Sequence, residues 1–209
     1  MPHYKNIIFD FGNVLFDLDL PATARRFQEM LGDEKATAAR RKLEQDKVFL
    51  LYETGGLSTQ EFLDALRCAA NPPISEADAR QAWNAIFREM PAPRFDMLLE
   101  LRQRYQVFLL SNINDLHERW IANYMRESHG ITDFETRFFD GVYYSHLIRL
   151  RKPEPEIYEY VLADAELNPA ETLFFDDLPE NIEAARRLGI RGVVKPPEVE
   201  IIEVVRAML

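Results

Sequence analysis

The stretch NIIFD at residues 6–10, closed by FGN at residues 11–13, is a short apolar run that ends in turn-forming residues. Such a run is typical of a strand that is buried on both faces, as in a parallel sheet. Similar runs recur further along the chain, at residues 107–110, 141–144, 173–175 and 192–194. Helical patterns separate these runs, and strands that alternate with helices predict a parallel sheet covered by helices.

One long interval interrupts the alternation. Residues 17–91 lie between the first strand and the helix that precedes the second, and they carry helical patterns throughout. Ser58 and Glu61 within this interval fit the capping box that begins many helices. An insertion after a strand end lies over the crevice in which open α/β sheets bind their ligands. We therefore predict an inserted helical domain at residues 17–91 and a core formed by residues 1–16 and 92–209.

The composition excludes several classes of protein. The 209 residues carry 25 basic and 35 acidic side chains, a formal net charge of −10. Affinity for polyanions comes largely from Lys and Arg, so neither nucleic acid nor an anionic membrane is an expected partner. No apolar run approaches the roughly 20 residues that span a bilayer. The start of the chain lacks a signal-peptide pattern, and Cys68 is the single cysteine. We expect a globular cytoplasmic protein.

Polar residues follow four of the predicted strands. They are Asp10 after the first, Ser111 and Asn112 after the second, Lys152 in the loop after the third, and Asp176, Asp177 and Asn181 after the fourth. The carboxyl ends of parallel strands share one edge, so these residues are expected to converge. Each of them also fits an ordinary helix cap or turn. Their occurrence in this order along a βα chain favours a functional site over that explanation.

These residue types suit phosphoryl chemistry at a metal ion. Three carboxylates at one edge repel each other unless a cation lies among them, and hard oxygen ligands suit Mg²⁺. Lys152 and the hydroxyl of Ser111 add a positive charge and a hydrogen-bond donor, which hold a phosphoryl group. A carboxylate that faces a bound phosphate can attack it in line. Hydrolysis then proceeds by formation and breakdown of an aspartyl phosphate.

Four segments carry a family resemblance. FDFGNVLFD at residues 9–17, LLSN at 109–112, RKPEPEIY at 151–158 and FFDDLPENIEAA at 174–185 resemble, in this order, the motifs of the haloacid dehalogenase (HAD) superfamily of phosphohydrolases. The resemblance covers essentially the whole chain. It implies an α/β fold with a Rossmann-like parallel sheet and an all-helical cap inserted after the first strand. The first motif is of the GNV type and is similar to that of sugar-phosphate phosphatases.

The resemblance also implies a metal site. Asp10 would be both the nucleophile and a ligand of Mg²⁺. The backbone carbonyl of Gly12 and the carboxylate of Asp177 would be further ligands, and Asp176 would bind the ion directly or through water.

Phosphate binding is implied by the other motifs. Ser111 would donate a hydrogen bond to the phosphoryl oxygens, with Asn112 beside it. Lys152 would neutralise the phosphate and position Asp10, while Asn181 would brace the loop that carries the paired aspartates.

Gly12 departs from the usual pattern. Most phosphatases of the superfamily carry a second Asp at this position as general acid and base, and such groups typically contribute about 10²–10⁴-fold. We therefore expect a preference for leaving groups that need little protonation, such as a sugar 1-phosphate. Alternatively, Asp17 or Asp19 supplies the proton. The GNV-type relatives share the glycine, so inactivity does not follow from it.

Other activities remain open at this stage. Gly12 is also compatible with a non-catalytic protein of this fold that binds a phosphate ligand or a protein partner. Haloacid dehalogenation would use the same nucleophile, but the acidic pair Asp176 and Asp177 disfavours it. Substrate choice is expected to reside in the helical insert, where Tyr52 or Glu53, at a glycine turn, would contact substrate hydroxyls. A solvated interhelical turn explains the same residues equally well, and the substrate and the oligomeric state are left open.

Overall fold

A parallel sheet of five strands forms the centre of the protein in the computed structural model, which describes residues 4–209. The strands are β1 (Asn6–Phe9), β2 (Gln106–Ser111), β3 (Gly141–Tyr144), β4 (Thr172–Asp176) and β5 (Arg191–Val194). Their spatial order is β3-β2-β1-β4-β5, and every neighbouring pair is parallel. The α/β fold predicted from the alternating pattern is confirmed. Residues 1–3 of the predicted core lie outside the described part of the chain.

Helices connect the strands. Between β1 and β2 lie α1 (Ala22–Leu31), α2 (Asp33–Gln45), α3 (Val48–Glu53), α4 (Thr59–Ala69), α5 (Glu76–Trp83) and α6 (Ala92–Arg102). The remaining helices are α7 (Asp115–His129), α8 (Phe134–Phe138), α9 (Ser145–Ile148), α10 (Pro155–Asp164), α11 (Pro179–Arg187) and α12 (Ile201–Met208). None of the helices within residues 4–209 has the length and apolar character that crossing a bilayer requires.

The first strand is buried on both faces of the sheet. Ile7 and Phe9 pack into the apolar cluster on one face, and Ile8 packs into the cluster on the other. The ring of Phe9 stacks on that of Phe175 of β4, with centroids 5.3 Å apart. This burial explains why the strand is a continuous apolar run, since no face of it contacts water.

The strand order of the sheet changes direction between β1 and β4. The chain places β2 and β3 on one side of β1 and then crosses to the other side for β4 and β5. Phe9 pairs with Phe175, and the Asp10 N–H donates to the Phe175 carbonyl at 2.8 Å. Asp10 and Asp176 therefore lie side by side at the point where doubly wound sheets form their ligand crevice.

Helices α1 to α5 have an apolar cluster of their own. Leu43, Phe62 and Leu66 belong to this cluster, which also includes Leu116 of α7. The two segments that join these helices to the sheet are hydrogen-bonded to each other, because the N–H of Asp17 donates to the Glu89 carbonyl at 2.8 Å. An inserted helical unit is consistent with these contacts, while its division from the core at residues 17 and 91 stays a prediction.

Candidate active site

Lys152 lies between two carboxylates at the carboxyl edge of the sheet. Its Nζ donates to Oδ1 of Asp10 at 2.6 Å and to Oδ2 of Asp176 at 2.7 Å. Lys152 is 2% exposed and Asp176 is fully buried. Burial acts to lower the pKa of Lys152, but the attraction of the two carboxylates outweighs it and raises that pKa above its usual value. The lysine is therefore a cation at neutral pH.

The acidic residues at this edge form a cluster that fits a divalent cation. One oxygen from each of Asp10, Asp176 and Asp177 lies within 4.8 Å of the others. Burial raises the pKa of Asp10 to about 7, although Lys152 acts to lower it. Burial and the neighbouring charge of Asp176 also raise the pKa of Asp177. Three carboxylates here face one lysine, and their hard oxygen ligands suit Mg²⁺.

Asp176 is saturated with hydrogen bonds. Besides the lysine, it accepts from the amide of Asn181 at 2.9 Å on each of its oxygens and from the N–H of Leu178 at 2.8 Å. Asp176 therefore holds Lys152 and the start of α11 together. Asp10 and Asp177 accept fewer hydrogen bonds, so these two carboxylates are the better placed as direct ligands of a cation.

Asn112 is engaged with the backbone of Lys152. Its Nδ2 donates to the Lys152 carbonyl at 2.9 Å, and its Oδ1 accepts from the Lys152 N–H at 2.9 Å. Both polar ends of the amide are thus used to position the lysine, and a phosphate contact from Asn112 stays a prediction. Ser111 is the last residue of β2, at the same edge of the sheet, and its contact with a phosphoryl oxygen stays a prediction as well.

Leu18 occupies the space beside Gly12. A Cβ on Gly12 would lie 2.7 Å from Cδ1 of Leu18, so an aspartate does not fit there unless Leu18 moves. Asn13 has a left-handed backbone with φ of 55°, which Asn adopts more readily than most residues. Its amide donates to Oδ2 of Asp177 at 3.3 Å and accepts from the N–H of Leu18 at 3.3 Å. Neither Asn13 nor Leu18 is among the site residues predicted from the sequence.

Both alternative proton donors are held by arginines. Nη1 of Arg94 donates to Asp17 at 2.8 Å. Asp19 accepts from Arg25 at 2.6 Å and from Arg88 at 3.0 Å, and these hydrogen bonds lower its pKa. A carboxylate with a lowered pKa is a poor general acid, so the pairing disfavours Asp19, and the contact with a buried arginine disfavours Asp17.

Glu53 lies where the helical insert contacts the core. Its carboxylate accepts from Nη2 of Arg151 at 2.9 Å, next to Lys152 in the chain, and its carbonyl accepts from the Ser145 hydroxyl at 2.7 Å. Gly55 follows with φ of 67°, and a Cβ there would clash with the carbonyl of His146. The glycine turn therefore allows the insert to approach the loop that carries Lys152.

The position of Tyr52 disfavours the predicted contact with the substrate. Tyr52 is 2% exposed, and its ring stacks on Phe62 with centroids 3.9 Å apart. Its hydroxyl accepts from the N–H of Leu116 at 3.0 Å and lies 3.0 Å from the Thr59 hydroxyl. The residue points into the apolar cluster of the insert, because Val48 and Tyr52 are four positions apart on the buried face of α3.

Replacing Tyr52 with phenylalanine is expected to affect stability and not substrate affinity. The variant leaves the Leu116 N–H without its acceptor, which costs about 1–3 kcal/mol of unfolding free energy. Urea denaturation measures this loss, and the exposed Tyr160 provides the matched Tyr160→Phe control. A raised KM with unchanged stability would place Tyr52 at the substrate instead.

Mg²⁺ is expected to raise the melting temperature of the protein. A ligand at 100 times its Kd stabilises the native state by about 2.7 kcal/mol, and the crowded carboxylates favour such binding. The measurement is thermal unfolding with MgCl₂ against NaCl of equal ionic strength. Asp177→Asn should lose most of the specific shift, and an equal shift in this variant would exclude Asp177 as a ligand.

The fold and the site together define a class of enzyme. A carboxylate paired with a buried lysine, beside a cation site at the edge of a parallel sheet, suits metal-assisted hydrolysis of a phosphate ester. Comparison with known proteins agrees with this class. Residues 4–189 match the sequence profile of the haloacid dehalogenase-like hydrolases, and the chain belongs to this family.

The most informative relatives are phosphatases. The chain is 34% identical over 187 residues to D-ribitol-5-phosphate phosphatase of Bacteroides thetaiotaomicron, covering 88% of each chain. It is 31% identical to a sesquiterpene phosphatase of Aspergillus oryzae, covering 91% of this chain and 89% of that one. The structure also resembles a crystal structure of a HAD family enzyme from B. thetaiotaomicron in complex with magnesium and inorganic phosphate, with a TM-score of 0.84 and 31% sequence identity. The match covers 96% of this chain and 98% of that one. The chain is thus a HAD-type phosphatase, and its cluster of Asp10, Asp176 and Asp177 fits a metal ion such as the magnesium of that neighbour.

Proposed function

We propose that this protein hydrolyses the phosphomonoester of a small polyol or sugar through an aspartyl phosphate on Asp10. The observation that carries the proposal is the placement of Lys152 between Asp10 and Asp176, with Asp177 close by. The 34% identity to a phosphatase of D-ribitol 5-phosphate supports the polyol or sugar as the alcohol. We also propose the cytoplasm as its location, where phosphorylated metabolites are abundant.

Asp10, Lys152 and Ser111 would each have a separate role in the reaction. Lys152 holds one oxygen of Asp10, so the other oxygen attacks phosphorus. The bond from Asp10 to phosphorus forms as the ester P–O bond breaks, and the alcohol leaves with a proton from solvent. Ser111 donates to a phosphoryl oxygen, while Lys152 offsets the charge. When bound, Mg²⁺ neutralises charge on the phosphoryl oxygens. Water then attacks phosphorus, inorganic phosphate is released, and the Asp10 carboxylate is regenerated.

Helices α1 to α5 would form the cap, at residues 17–91, over this crevice. The support for this proposal is the contact of Glu53 with Arg151, one residue before the catalytic lysine, together with the close approach of Gly55 to His146. Glu53 would recognise substrate hydroxyls, because its carboxylate is only partly buried at this junction. Tyr52 has no part in this recognition.

The leaving group is expected to influence the rate strongly. Residue 12 has no side chain to donate a proton, Leu18 fills the space beside it, and Asp17 and Asp19 are paired with arginines. The departing oxygen of a sugar 1-phosphate is more acidic than that of a primary alcohol. We therefore expect a higher kcat/KM for a sugar 1-phosphate than for its 6-phosphate isomer, and an equal or reversed preference would refute this dependence.

A screen of phosphorylated metabolites tests the proposed function. Phosphate release would be measured with and without Mg²⁺ for polyol phosphates, starting with D-ribitol 5-phosphate, and for sugar phosphates, nucleotides and phosphorylated acids. The expected result is Mg²⁺-dependent turnover of at least one polyol or sugar phosphate. If neither this panel nor p-nitrophenyl phosphate showed turnover that is lost in Asp10→Asn, the result would favour a non-catalytic protein that binds a phosphate ligand or a protein partner.

A further inference from the structure

A cavity of about 620 Å³ lies within the helical insert, between α1, α2 and α3, the end of α5 and the start of α7. Its volume is within the range of about 300–1,000 Å³ typical of small-molecule pockets. Its apolar walls include Phe27, Leu43, Phe49, Leu66 and Trp83. The lining contains neither the acidic cluster nor Lys152, so this cavity is separate from the phosphate site.

Small side chains keep the cavity open. Ala24 of α1 and Ala36 and Ala39 of α2 line it, at positions where a larger apolar residue would fill the space. The pocket is partly open to solvent, so its apolar lining contacts water and lacks the contacts of a packed interior. Leu20, which also lines the cavity, is 60% exposed. An apolar ligand would cover this surface and restore the missing contacts.

One wall of the cavity is preformed. The ring of Trp83 stacks on Phe49 with centroids 5.6 Å apart and on His117 at 5.1 Å. The Trp83 carbonyl accepts from the Thr23 hydroxyl at 3.2 Å, which joins the wall to α1. Burial lowers the pKa of His117 to about 4, so the imidazole is neutral at physiological pH. The wall is thus a rigid, uncharged aromatic surface that suits an apolar group.

The charges at the cavity favour an anion. Its charged lining residues are Arg40, Arg41 and Glu44, and Arg40 pairs with Glu44 at 2.7 Å. Within residues 4–209, no ion pair involves Arg41, so one positive charge is in excess at the mouth. This local charge contrasts with the net charge of −10 of the whole chain. A ligand with an apolar body and a single anionic group matches both features.

We propose that this cavity is a second binding site, separate from the catalytic one, for a small amphipathic anion such as a medium-chain carboxylate or an aromatic acid. The apolar body lies against Trp83, Phe49 and Phe27, and the anionic group faces Arg41.

Fluorescence titration of the full chain with 8-anilinonaphthalene-1-sulfonate tests the site, because this probe combines aromatic rings with one sulfonate. We expect one saturable site, from which decanoate displaces the probe. Inorganic phosphate with Mg²⁺ should not displace it. Absence of saturable binding, or displacement by phosphate, would overturn the proposal.

Two residues of α2 offer a matched pair of variants. Ala39 is buried and lines the cavity, while its neighbour Ala38 is exposed and does not. Ala39→Trp fills the cavity and should weaken probe binding about tenfold or more, because the indole occupies the volume that the probe needs. Ala38→Trp should bind the probe as the unaltered protein does. Equal affinity of the two variants would overturn the proposal.

Charge reversal at Arg41 gives an independent test if Ala39→Trp fails to fold. Arg41→Glu lies on the exposed side of α2, where substitutions rarely affect folding. It should weaken binding of the sulfonate probe about threefold or more, while the neutral analogue N-phenyl-1-naphthylamine binds with unchanged affinity. Unchanged affinity for the sulfonate would remove Arg41 from the site and overturn the assignment of an anionic ligand.

Discussion

Replacing Asp10 with asparagine is expected to lower kcat by at least about 10³-fold at saturating Mg²⁺, because an amide does not form the covalent intermediate. The substitution keeps the shape of the side chain and an oxygen that can accept from Lys152, which now donates to Asp10 at 2.6 Å. The loss should therefore appear in kcat more than in the fold. Loss of one carboxylate from the acidic cluster should also weaken binding of Mg²⁺.

Phosphate release from the best substrate of the screen measures this effect. Asp64→Asn is the matched control, because Asp64 is an exposed residue of α4 that pairs with Arg67 on the surface. Its turnover should equal that of the unaltered protein. If Asp10→Asn were folded and retained more than about a tenth of the turnover, hydrolysis through Asp10 would be excluded.

Replacing Lys152 with methionine is expected to reduce both stability and activity. The lysine is 2% exposed, and without it the carboxylates of Asp10 and Asp176 face each other in a buried site. Removal of one partner from a buried ion pair costs about 3–5 kcal/mol of unfolding free energy. Turnover should fall as well, since no cation then holds the nucleophile or offsets the charge of the phosphate.

Urea denaturation in the absence of Mg²⁺ measures the stability of this variant. Lys5→Met is the matched control, because Lys5 pairs with Glu171 at the surface with its side chain 57% exposed. Surface ion pairs contribute about 0–1 kcal/mol, so the control should be almost unchanged. Equal stability of the two variants would show that Asp10 and Asp176 do not depend on the lysine.

The sheet could be predicted from the sequence because each strand is a local pattern. Residues 6–9 and 172–176 are buried on both faces, so burial alone produces continuous apolar runs that end at polar residues. Element boundaries were predicted less well. The Pro-Pro pair at residues 196 and 197 precedes the final helix, but α12 begins only at Ile201. A proline lacks the N–H that a helix interior needs.

Site residues that directly follow strands could be predicted from the sequence, whereas site residues whose positions depend on side-chain packing could not. Asp10 and Asp176 lie side by side because their strands are neighbours, whereas the alternation of strands and helices predicts only that both residues lie at one edge of the sheet. The side chains of Leu18 and Tyr52 are placed by contacts with Gly12 and Leu116, which no local pattern encodes. Asn13 was the exception with a local signal, since Asn at a turn favours the left-handed backbone.

The order of the motifs along the chain was sufficient to predict the class of the protein. The carboxyl ends of parallel strands lie at one edge of the sheet, so the polar residues that follow them converge independently of the surrounding side-chain packing. The family was indicated by the resemblance of four motifs in this order, and the convergence of Asp10, Lys152 and Asp177 agrees with it. Their roles in catalysis and metal binding stay a proposal. Three-dimensional packing alone decided that the side chain of Leu18 lies beside Gly12 and that Tyr52 packs within the helical insert. Those outcomes depend on distances between side chains of separate elements, which a one-dimensional pattern does not contain.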